Sequence, residues 1–343
     1  MTADLHALPD TALATYLETE VPGFHGPLTS RKFPGGQSNP TYLIEAASGK
    51  YVLRRQPAGE LLPSAHAVDR EFRVLSGLYG GNVPVPRPWH LCRHGSTVGS
   101  MFYLMDYVEG RIFRDPALPE ITVVDDRAEY YDAIIDTLAD IHSTNLHNSG
   151  LAGFGKGGNY FSRQIERWSE QYRNSETQSI PEMDALIERL PARCPADDGR
   201  VALVHGDFRI DNLMFHPLRP RVVAVLDWEL STLGNPLADL GYFCMALRLP
   251  RNPTLPGLAG LDRAELGIPN EEALIIRYCA RTGRREPRDW PFVIAFSYFR
   301  LAAIAQGVAK RAQQGNASSE QAEQAGQMTA FLAKSGLETL TES

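Results

Sequence analysis

The sequence predicts an α+β protein of two lobes, with a small antiparallel-sheet N-lobe and a larger, mainly helical C-lobe. Length is the first observation, because 343 residues favour two lobes over a single core. The second is that extended segments separated by tight turns dominate the N-terminal third. The third is that apolar residues at helical spacing recur through the rest of the chain. We therefore predict an N-lobe at residues 1–108 and a C-lobe at residues 109–343.

The composition is that of an ordinary soluble globular protein, with 43% hydrophobic and 22% charged residues. A formal net charge of −7 disfavours a nucleic-acid-binding surface. The N-terminus carries neither a basic segment nor an apolar stretch of signal-peptide length, and we expect no apolar run long enough to span a membrane. We therefore expect a cytoplasmic protein whose partners include neither nucleic acid nor a membrane. The cysteines are scattered, which predicts reduced thiols and no structural zinc site: Cys92, Cys194, Cys244 and Cys279.

A glycine-rich turn with the sequence FPGGQSN occupies residues 33–39 and precedes a predicted β-hairpin at residues 41–54. Backbone N–H groups beside a pair of glycines can approach a phosphate closely. A plain turn is the alternative, since the segment lacks the full G-x-G-x-x-G pattern. The candidate nucleotide-contacting residues of this turn are Gly35, Gly36, Ser38 and Asn39.

The hairpin ends at Arg54, and the next predicted helix carries Glu71 at the edge of its apolar stripe. Ser64 is the expected N-cap of that helix. From this position Glu71 can point toward the sheet and form an ion pair with Arg54. The alternative is that Arg54 is a solvated surface residue, as a lone arginine at a strand end usually is.

Polar side chains gather around a second predicted ribbon. A short apolar run at residues 201–204 leads into the tripeptide HGD, which ends at Asp207, and Asn212 follows five residues later. A predicted hairpin then ends at Asp227. The spacing predicts that Asp207, Asn212 and Asp227 converge at one end of the ribbon. A carboxylate that deprotonates a hydroxyl, beside an amide and a carboxylate of the type that bind Mg²⁺, suits phosphoryl transfer.

These motifs resemble those of a known kinase group. The pattern H-G-D-x-x-x-x-N at residues 205–212, followed by D-W-E at 227–229, resembles the aminoglycoside phosphotransferase and choline kinase-like family, the phosphotransferase enzyme family. The run DWELSTLGNPLADL is similar to one branch, the kinase-like domain fused ahead of acyl-CoA dehydrogenase domains in some eukaryotic proteins. The resemblance covers most of the chain, from about residue 31 to the C-terminal helices, and implies a protein kinase-like fold.

The resemblance also implies roles for the polar residues of the ribbon. Asp207 would orient the acceptor hydroxyl as the catalytic carboxylate, and Asn212 and Asp227 would bind Mg²⁺. The co-substrate would be ATP or GTP. Asp239 is expected to anchor the catalytic loop by hydrogen bonds.

In the N-lobe, the resemblance places the Arg54–Glu71 pair where kinases have the Lys–Glu pair that clamps nucleotide phosphates. An arginine fork and a lysine point charge are not interchangeable, so this departure affects nucleotide geometry. The apolar run MFYLMDYV at residues 101–108 predicts a buried strand. In a kinase-like fold that strand feeds the hinge, where Met105 and Tyr107 would meet the adenine.

Several residues of the helical region are weaker candidates. His142 is expected to be a core contact rather than a catalyst. Arg300 and Gln306 could line an acceptor pocket, although periodicity does not show which face of their helix they occupy. A glycine-bearing segment at residues 150–168 is a candidate substrate-facing loop through Lys156, Tyr160 and Arg163.

A small-molecule kinase is favoured over a protein kinase. Gly206 stands where protein kinases carry an arginine that pairs with a phosphorylated activation loop, and no A-P-E motif follows residues 227–229. The leading hypothesis is an ATP- or GTP-dependent O-phosphotransferase acting on a small-molecule hydroxyl acceptor. The link to acyl-CoA dehydrogenases suggests a hydroxyacyl compound, with an antibiotic or an amino alcohol as the alternative acceptor. The alternative is a nucleotide-binding pseudokinase that serves as a regulatory partner in acyl-CoA metabolism. A dehydrogenase is excluded, because no dinucleotide-binding G-x-G-x-x-G unit is present.

Overall fold

The computed structural model describes residues 7–34, 39–57, 66–95, 97–252, 255–313 and 319–341. The helices among these residues are α1 Asp10–Glu20, α2 Val68–Leu78, α3 Asp126–His142, α4 Tyr160–Ser175, α5 Pro181–Arg193, α6 Leu237–Leu247, α7 Glu271–Thr282, α8 Trp290–Arg311 and α9 Ser319–Thr341. The strands are β1 Leu28–Lys32, β2 Thr41–Ala46, β3 Gly49–Arg55, β4 Pro88–Cys92, β5 Phe102–Asp106, β6 Arg111–Ile112, β7 Ala202–Val204, β8 Leu213–Phe215, β9 Val222–Val225 and β10 Thr232–Gly234.

The chain divides into two compact units that are not continuous in sequence. The first comprises residues 1–113, 144–153 and 211–231, and the second comprises residues 114–143, 154–210 and 232–343. The first unit holds antiparallel sheets and the second is mainly helical, so the predicted α+β class is confirmed. The division into lobes after residue 108 stays a prediction.

A five-stranded antiparallel sheet, in the order β1-β2-β3-β5-β4, forms the larger part of the first unit. Side chains alternate between its two faces, as strand geometry requires. Leu53 of β3 and Leu104 of β5 enter one face, where they join Leu13 and Leu17 of helix α1 in a hydrophobic core. Burying a large aliphatic side chain contributes about 1.5–3 kcal/mol. The neighbouring residues of β3 therefore occupy the opposite face, which is available to a ligand.

Helix α2 packs against strands β4 and β5 of the same unit. Its buried residues are apolar except for one, and recur at helical spacing: Val68, Glu71, Val74, Leu75 and Leu78. The helix begins at Val68 with Ala67 in the N-cap position. The prediction that Ser64 caps it is therefore wrong, and Ser64 itself lies outside the described residues. The stretch before the helix has no apolar periodicity that would mark the start.

A second antiparallel sheet of the first unit, in the order β6-β8-β9, contains the predicted ribbon. Strand β8 begins directly after Asn212 and β9 ends two residues before Asp227. The Leu226 N–H donates to the Asn212 carbonyl at 2.9 Å, which closes the ends of the hairpin. The hairpin of the ribbon is confirmed. Strand β7, which precedes Asp207, instead pairs with β10 in the second unit.

Helix α8 is the apolar centre of the second unit, where it packs against α4, α6 and α9. Among the described residues it is the one helix long and apolar enough to cross a membrane. The expectation that no apolar run reaches this length is therefore wrong. The most apolar part of α8 is 72% buried inside the protein. Phe292, Phe296 and Phe299 are among its buried residues.

All four cysteines are free thiols. Cys92, Cys244 and Cys279 are buried free thiols, and Cys194 is a half-buried one. Burial raises the pKa of the Cys244 thiol well above its usual value, so this thiol is inert as a nucleophile.

Candidate active site

A cleft of about 400 Å³ lies within the first unit. Its size falls within the range of small-molecule sites, ~300–1,000 Å³. Predicted site residues from three distant parts of the sequence line it: Arg54, Met105, Tyr107, Asn212 and Asp227. The structure therefore brings together the predicted nucleotide-contacting residues of the sheet and the predicted magnesium ligands.

Strand register explains how the sheet presents this cleft. Arg54 pairs with Thr41 of β2 on one side and with Tyr103 of β5 on the other, and all three line the cleft. Val52, two residues before Arg54, shares the same face because side chains alternate along a strand. Its partner Met105 extends the apolar wall. The wall of the cleft that the sheet forms is therefore apolar at Val52 and Met105 and carries a cation at Arg54.

Arg54 forms the predicted ion pair with Glu71. The Arg54 Nε atom lies 2.9 Å from Glu71 Oε2, and the Glu71 side chain is only 2% exposed. The ion pair is confirmed, and the alternative of a solvated arginine is wrong. Because Glu71 is held in the interior, it fixes the guanidinium at the wall of the cleft.

Two further side chains hold Glu71, and neither was identified in this role from sequence. The Asn39 Nδ2 atom donates to Glu71 Oε1 at 2.9 Å, and the Tyr103 hydroxyl donates to Oε2 at 3.1 Å. Tyr103 lies opposite Arg54 in the sheet. Because side chains alternate between the two faces of a strand, the sequence of residues 101–106 could have placed Tyr103 on the same face as Arg54. Such fully bonded buried carboxylates are rigid. Asn39 and Tyr103 thus orient Glu71, which in turn orients Arg54.

The glycine-rich turn is only partly described. Asn39 is fully buried, and its Oδ1 atom contacts His66 Nδ1 at 3.2 Å. The Asn39 side chain therefore faces the interior network around Glu71. Gly35, Gly36 and Ser38 lie outside the described residues, so their nucleotide contacts stay predictions.

The charges around Arg54 are mutually dependent. Arg54 Nη2 lies 3.0 Å from Asp227 Oδ1 and 3.7 Å from Glu229 Oε2. Burial raises the pKa of Glu71 to about 7; Arg54 opposes that rise, whereas Asp227 and Glu229 add to it. Burial works against the charge on Arg54, but Glu71 and the two other carboxylates raise the pKa of the guanidinium overall. Arg54 therefore remains cationic in the cleft.

Asp227 occupies an unusual backbone conformation at the end of the ribbon. Its φ of 60° and ψ of 66° lie in the left-handed region, which aspartate tolerates better than most residues. Residues held in such conformations cluster at functional sites. The Trp228 indole N–H donates to the Val225 carbonyl at 3.1 Å, which closes the turn around Asp227.

The donor set of Asn212 and Asp227 suits Mg²⁺, which takes hard oxygen ligands and commonly one or two carboxylates together with substrate phosphates. Both side chains line the cleft. Across the described part of the chain, no group of three or more His, Cys, Asp or Glu side chains is placed to hold a metal ion.

The loop that carries Asp207 lies in the second unit and is anchored by Asp239. Asp239 Oδ2 accepts the His205 N–H at 2.6 Å, and Oδ1 accepts the Gly206 N–H at 2.8 Å. The predicted anchoring role of Asp239 is confirmed. Burial opposes its ionisation, but hydrogen bonds from His142 and from the Gly206 N–H keep the pKa of Asp239 below its usual value.

His142 is a core residue, as expected. It is buried, with Nε2 at 3.1 Å from Asp239 Oδ2 and Nδ1 at 2.7 Å from the Tyr278 hydroxyl. Burial lowers the pKa of His142, with Asp239 opposing that effect. The ring is a neutral link between Asp239 and helix α7.

The weaker candidates of the helical region have structural contacts. Arg163 donates to the backbone carbonyls of Lys156 and Gly157, and Gln306 donates to Ser175 and Thr177 at 2.8 and 2.9 Å. Gln306 is fully buried, so its role is to join helix α8 to the end of α4. These contacts do not indicate an acceptor pocket.

Replacing Arg54 tests the predicted phosphate-binding role of the cleft. We expect Arg54→Ala to raise the KM for Mg-nucleotide by roughly 10–100-fold, because a hydrogen bond to a charged group is worth ~1.5–3 kcal/mol. Arg54→Lys should lose less, since it keeps the charge. Arg55→Lys is the matched control: Arg55 is the next residue of β3, and it donates to the Val98 carbonyl at 2.9 Å. An unchanged nucleotide KM in Arg54→Ala would contradict the assignment.

Glu71 gives the protein a measurable pH dependence. Its pKa rises from 4.5 to about 7 on folding, so the folded state favours the protonated carboxyl. The stabilisation of the folded state that comes from protonating Glu71 is fully present below pH 4.5 and is lost as the pH rises through 7. Relative to Glu71→Gln, the free energy of unfolding of the wild type should therefore fall by roughly 3 kcal/mol over this interval. Urea unfolding of both proteins at several pH values measures it, and parallel profiles would refute the raised pKa.

Comparisons with known proteins place the chain in a family. The profile of the phosphotransferase enzyme family, APH, matches residues 29–275. Acyl-CoA dehydrogenase family member 10 of Mus musculus is 47% identical over 331 residues, which cover 96% of this chain and 31% of that protein. Probable acyl-CoA dehydrogenase IBR3 of Arabidopsis thaliana is 42% identical over 355 residues, covering 97% and 43%. The chain thus spans less than half the length of these curated relatives.

Solved structures agree. A protein from Ralstonia eutropha JMP134, provisionally described as an aminoglycoside phosphotransferase, is 44% identical with a TM-score of 0.89, covering 98% of this chain and 99% of that one. A thermostable mutant of aminoglycoside phosphotransferase APH(4)-Ia, in a ternary complex with ADP and hygromycin B, is 14% identical. Its TM-score of 0.59, over 95% of this chain and 99% of that one, shows the shared fold alone. The chain belongs to the phosphotransferase enzyme family and has its kinase-like fold.

Proposed function

We propose that the protein is a nucleotide-dependent O-phosphotransferase that phosphorylates the hydroxyl of a small molecule. The observation that carries this proposal is the cleft of the first unit. There Arg54, fixed by the buried Glu71, lies in the same cavity as Asn212 and Asp227. A fixed cation beside two hard oxygen donors is an arrangement that binds the phosphates of a nucleotide together with a magnesium ion.

The cleft suits ATP or GTP. Val52, Met105 and Val225 line it and offer apolar contacts to a purine. Arg54 binds the phosphates, with Glu71 behind it. Asn212 and Asp227 would hold Mg²⁺, and the ion would supply positive charge that offsets the negative charge of the phosphates. Positioning and charge stabilisation supply most of the catalysis in phosphoryl transfer.

Asp207 orients the acceptor hydroxyl and takes its proton. The acceptor oxygen forms a bond to the γ-phosphorus while the bond from that phosphorus to the β–γ bridging oxygen breaks. The nucleoside diphosphate leaves with that electron pair, and the proton passes to the Asp207 carboxylate. The acceptor becomes a phosphate monoester. Asp239 supports this step by holding the backbone of the two residues before Asp207.

A hydroxyacyl compound is the acceptor that we propose. The support is the set of relatives named acyl-CoA dehydrogenases, in which a region similar to this chain makes up 31% and 43% of the protein in two examples. Such a fusion favours consecutive steps on related substrates, and it is also the basis for proposing a functional link to an acyl-CoA dehydrogenase. An aminoglycoside is the competing acceptor, on the strength of the Ralstonia eutropha relative.

A nucleotide-binding pseudokinase is the second candidate. One observation favours it: the Arg54 guanidinium lies 3.0 Å from Asp227, a residue that a catalytic magnesium ion would need. In a pseudokinase this ion pair would persist with nucleotide bound. In a kinase, Arg54 would contact the phosphates and Asp227 would serve as a metal ligand.

A coupled assay of nucleoside diphosphate release tests the proposed function. The panel contains hydroxyacyl thioesters, free hydroxy acids, amino alcohols and aminoglycosides, with Asp207→Asn as the blank. We expect acceptor-dependent release of diphosphate with a hydroxyacyl compound in the wild type only. Diphosphate release with aminoglycosides but with no hydroxyacyl compound would overturn the acceptor assignment. If the protein binds nucleotide but none of the acceptors supports diphosphate release, the pseudokinase is favoured.

A further inference from the structure

Both backbone groups of Gly206, the residue before Asp207, are held by buried charged side chains of the second unit. Asp239 accepts its N–H at 2.8 Å, and the Nη2 atom of Arg300 donates to its carbonyl oxygen. Gly206 has a φ of 86°, a conformation that other residues rarely adopt. The loop is thus fixed, from both ends of this residue, in a conformation that only glycine takes readily.

The peptide unit between Gly206 and Asp207 is fixed on its two opposite sides. Its carbonyl oxygen accepts from Arg300, and its N–H, which belongs to Asp207, donates to His205 Nδ1 at 3.2 Å. A planar peptide bound at both its oxygen and its nitrogen has little freedom to rotate. The Cα atom of Asp207 is therefore placed by these two contacts.

Two aromatic rings hold the guanidinium of Arg300 in place. It lies on helix α8, is 4% exposed, and its guanidinium carbon is 5.4 Å from the ring centroids of both Trp168 and Tyr242. A guanidinium between two aromatic rings is stabilised by cation–π attraction and keeps a defined orientation. Burial raises the pKa of the Tyr242 hydroxyl, and the nearby charge of Asp207 and a side-chain hydrogen bond with Asp207 add to that rise. One cluster thus contacts both the backbone next to Asp207 and its side chain.

We infer that Arg300, braced by Trp168 and Tyr242, is a positioning residue that sets the location of the Asp207 carboxylate for phosphoryl transfer. Position 206 has no side chain, so the guanidinium that fixes this loop comes from a helix 94 residues further along the chain. Arg300 acts through Gly206 and Tyr242 and does not touch the acceptor. The inference rests on the proposed function, in which Asp207 is the catalytic carboxylate.

Substitutions of Arg300 test the inference, with Gln306→Met as the matched control. Gln306 is a buried polar residue of the same helix, and it bonds to Ser175 and Thr177 rather than to the catalytic loop. Misplacement of a catalytic group by about 1 Å can cost ~10²-fold in rate. We therefore expect Arg300→Gln to lower kcat by about 10²-fold with little change in nucleotide KM. Arg300→Lys should retain part of kcat, and added guanidinium ion should restore part of it to Arg300→Ala.

A second readout does not need an acceptor. The carbon-13 resonance of the Asp207 side-chain carboxyl, assigned by its loss in Asp207→Asn, should move in Arg300→Lys and stay in place in Gln306→Met. An unmoved resonance in a folded Arg300→Lys protein would overturn the inference. So would an equal kcat loss in the Arg300 and Gln306 variants. If the wild type turns over no acceptor, the proposed function fails, while the carbon-13 comparison still decides whether Arg300 positions Asp207.

Discussion

Asp207→Asn is expected to lower kcat by roughly 10²–10⁴-fold while leaving the affinity for Mg-nucleotide nearly unchanged. A general base acts mainly as the hydroxyl proton leaves, so its contribution is largest in the transition state. Asparagine keeps the size of the side chain but cannot accept that proton. Steady-state kinetics with the acceptor, beside calorimetry with the nucleotide, separates the two effects.

The control for this substitution is Asp198→Asn, which removes the charge of an exposed aspartate elsewhere in the second unit. It should leave kcat and KM at wild-type values. Near wild-type kcat in Asp207→Asn would show that another group takes the proton. A large loss of nucleotide affinity in the same variant would show that Asp207 acts in binding rather than in proton transfer.

Asp227→Asn should abolish most of the magnesium-dependent affinity for nucleotide. Loss of a residue that hydrogen-bonds to a metal ligand typically lowers metal affinity by about 10–100-fold, and loss of the ligand itself should lower it at least as much. The substitution also removes the ion pair between Asp227 and Arg54, which spans 3.0 Å. Calorimetric titrations with and without Mg²⁺ measure the effect.

The magnesium-free titration is the internal control for Asp227→Asn. Without the ion, wild type and variant should bind nucleotide with similar, weak affinity, since the role of Asp227 depends on the metal. Equal affinities in the presence of Mg²⁺ would contradict the assignment of Asp227 as a ligand. Loss of binding in both buffers would point to a structural defect.

Sequence-local signals predicted the parts of the site that depend on short-range order. The hairpin before Asp227 was predictable because its two strands are separated by a Pro-bearing turn. The Arg54–Glu71 pair was predictable because Arg54 ends a strand and Glu71 lies at the edge of the apolar stripe of the next helix. The contacts of Asp239 were predictable from its position in the sequence after the ribbon. Each of these predictions required only the residue pattern of single helices or strands and the order in which the family's motifs follow one another.

Long-range pairing accounts for what the sequence did not reveal. Strand β1 and the two-residue strand β6 are too short and too polar for a period-2 pattern to mark them. Helix α5 carries Pro191 in its last turn, and a proline inside a helix normally ends or kinks it, so the sequence does not mark this helix clearly. The pairing of β7 with β10 joins segments about 30 residues apart. No local pattern specifies such a partner.

The buried polar contacts were hidden for a similar reason. Arg300 reaches Gly206 across 94 residues of sequence, and Asn39 reaches Glu71 across 32. A residue type does not state its partner, and a polar residue on an apolar helix can face either a pocket or the interior. Only the packing of the helices and sheets decides which.

Phosphorus-31 NMR of the products tests the central claim most directly. Wild-type protein, Mg-nucleotide and the hydroxyl acceptor from the screen are incubated together, and the fate of the γ-phosphate is followed. We predict one nucleoside diphosphate and one new phosphate monoester for each acceptor consumed, with neither formed by Asp207→Asn. Bound nucleotide that stays intact with every acceptor, or that yields only inorganic phosphate, would contradict the assignment of this protein as a small-molecule O-phosphotransferase.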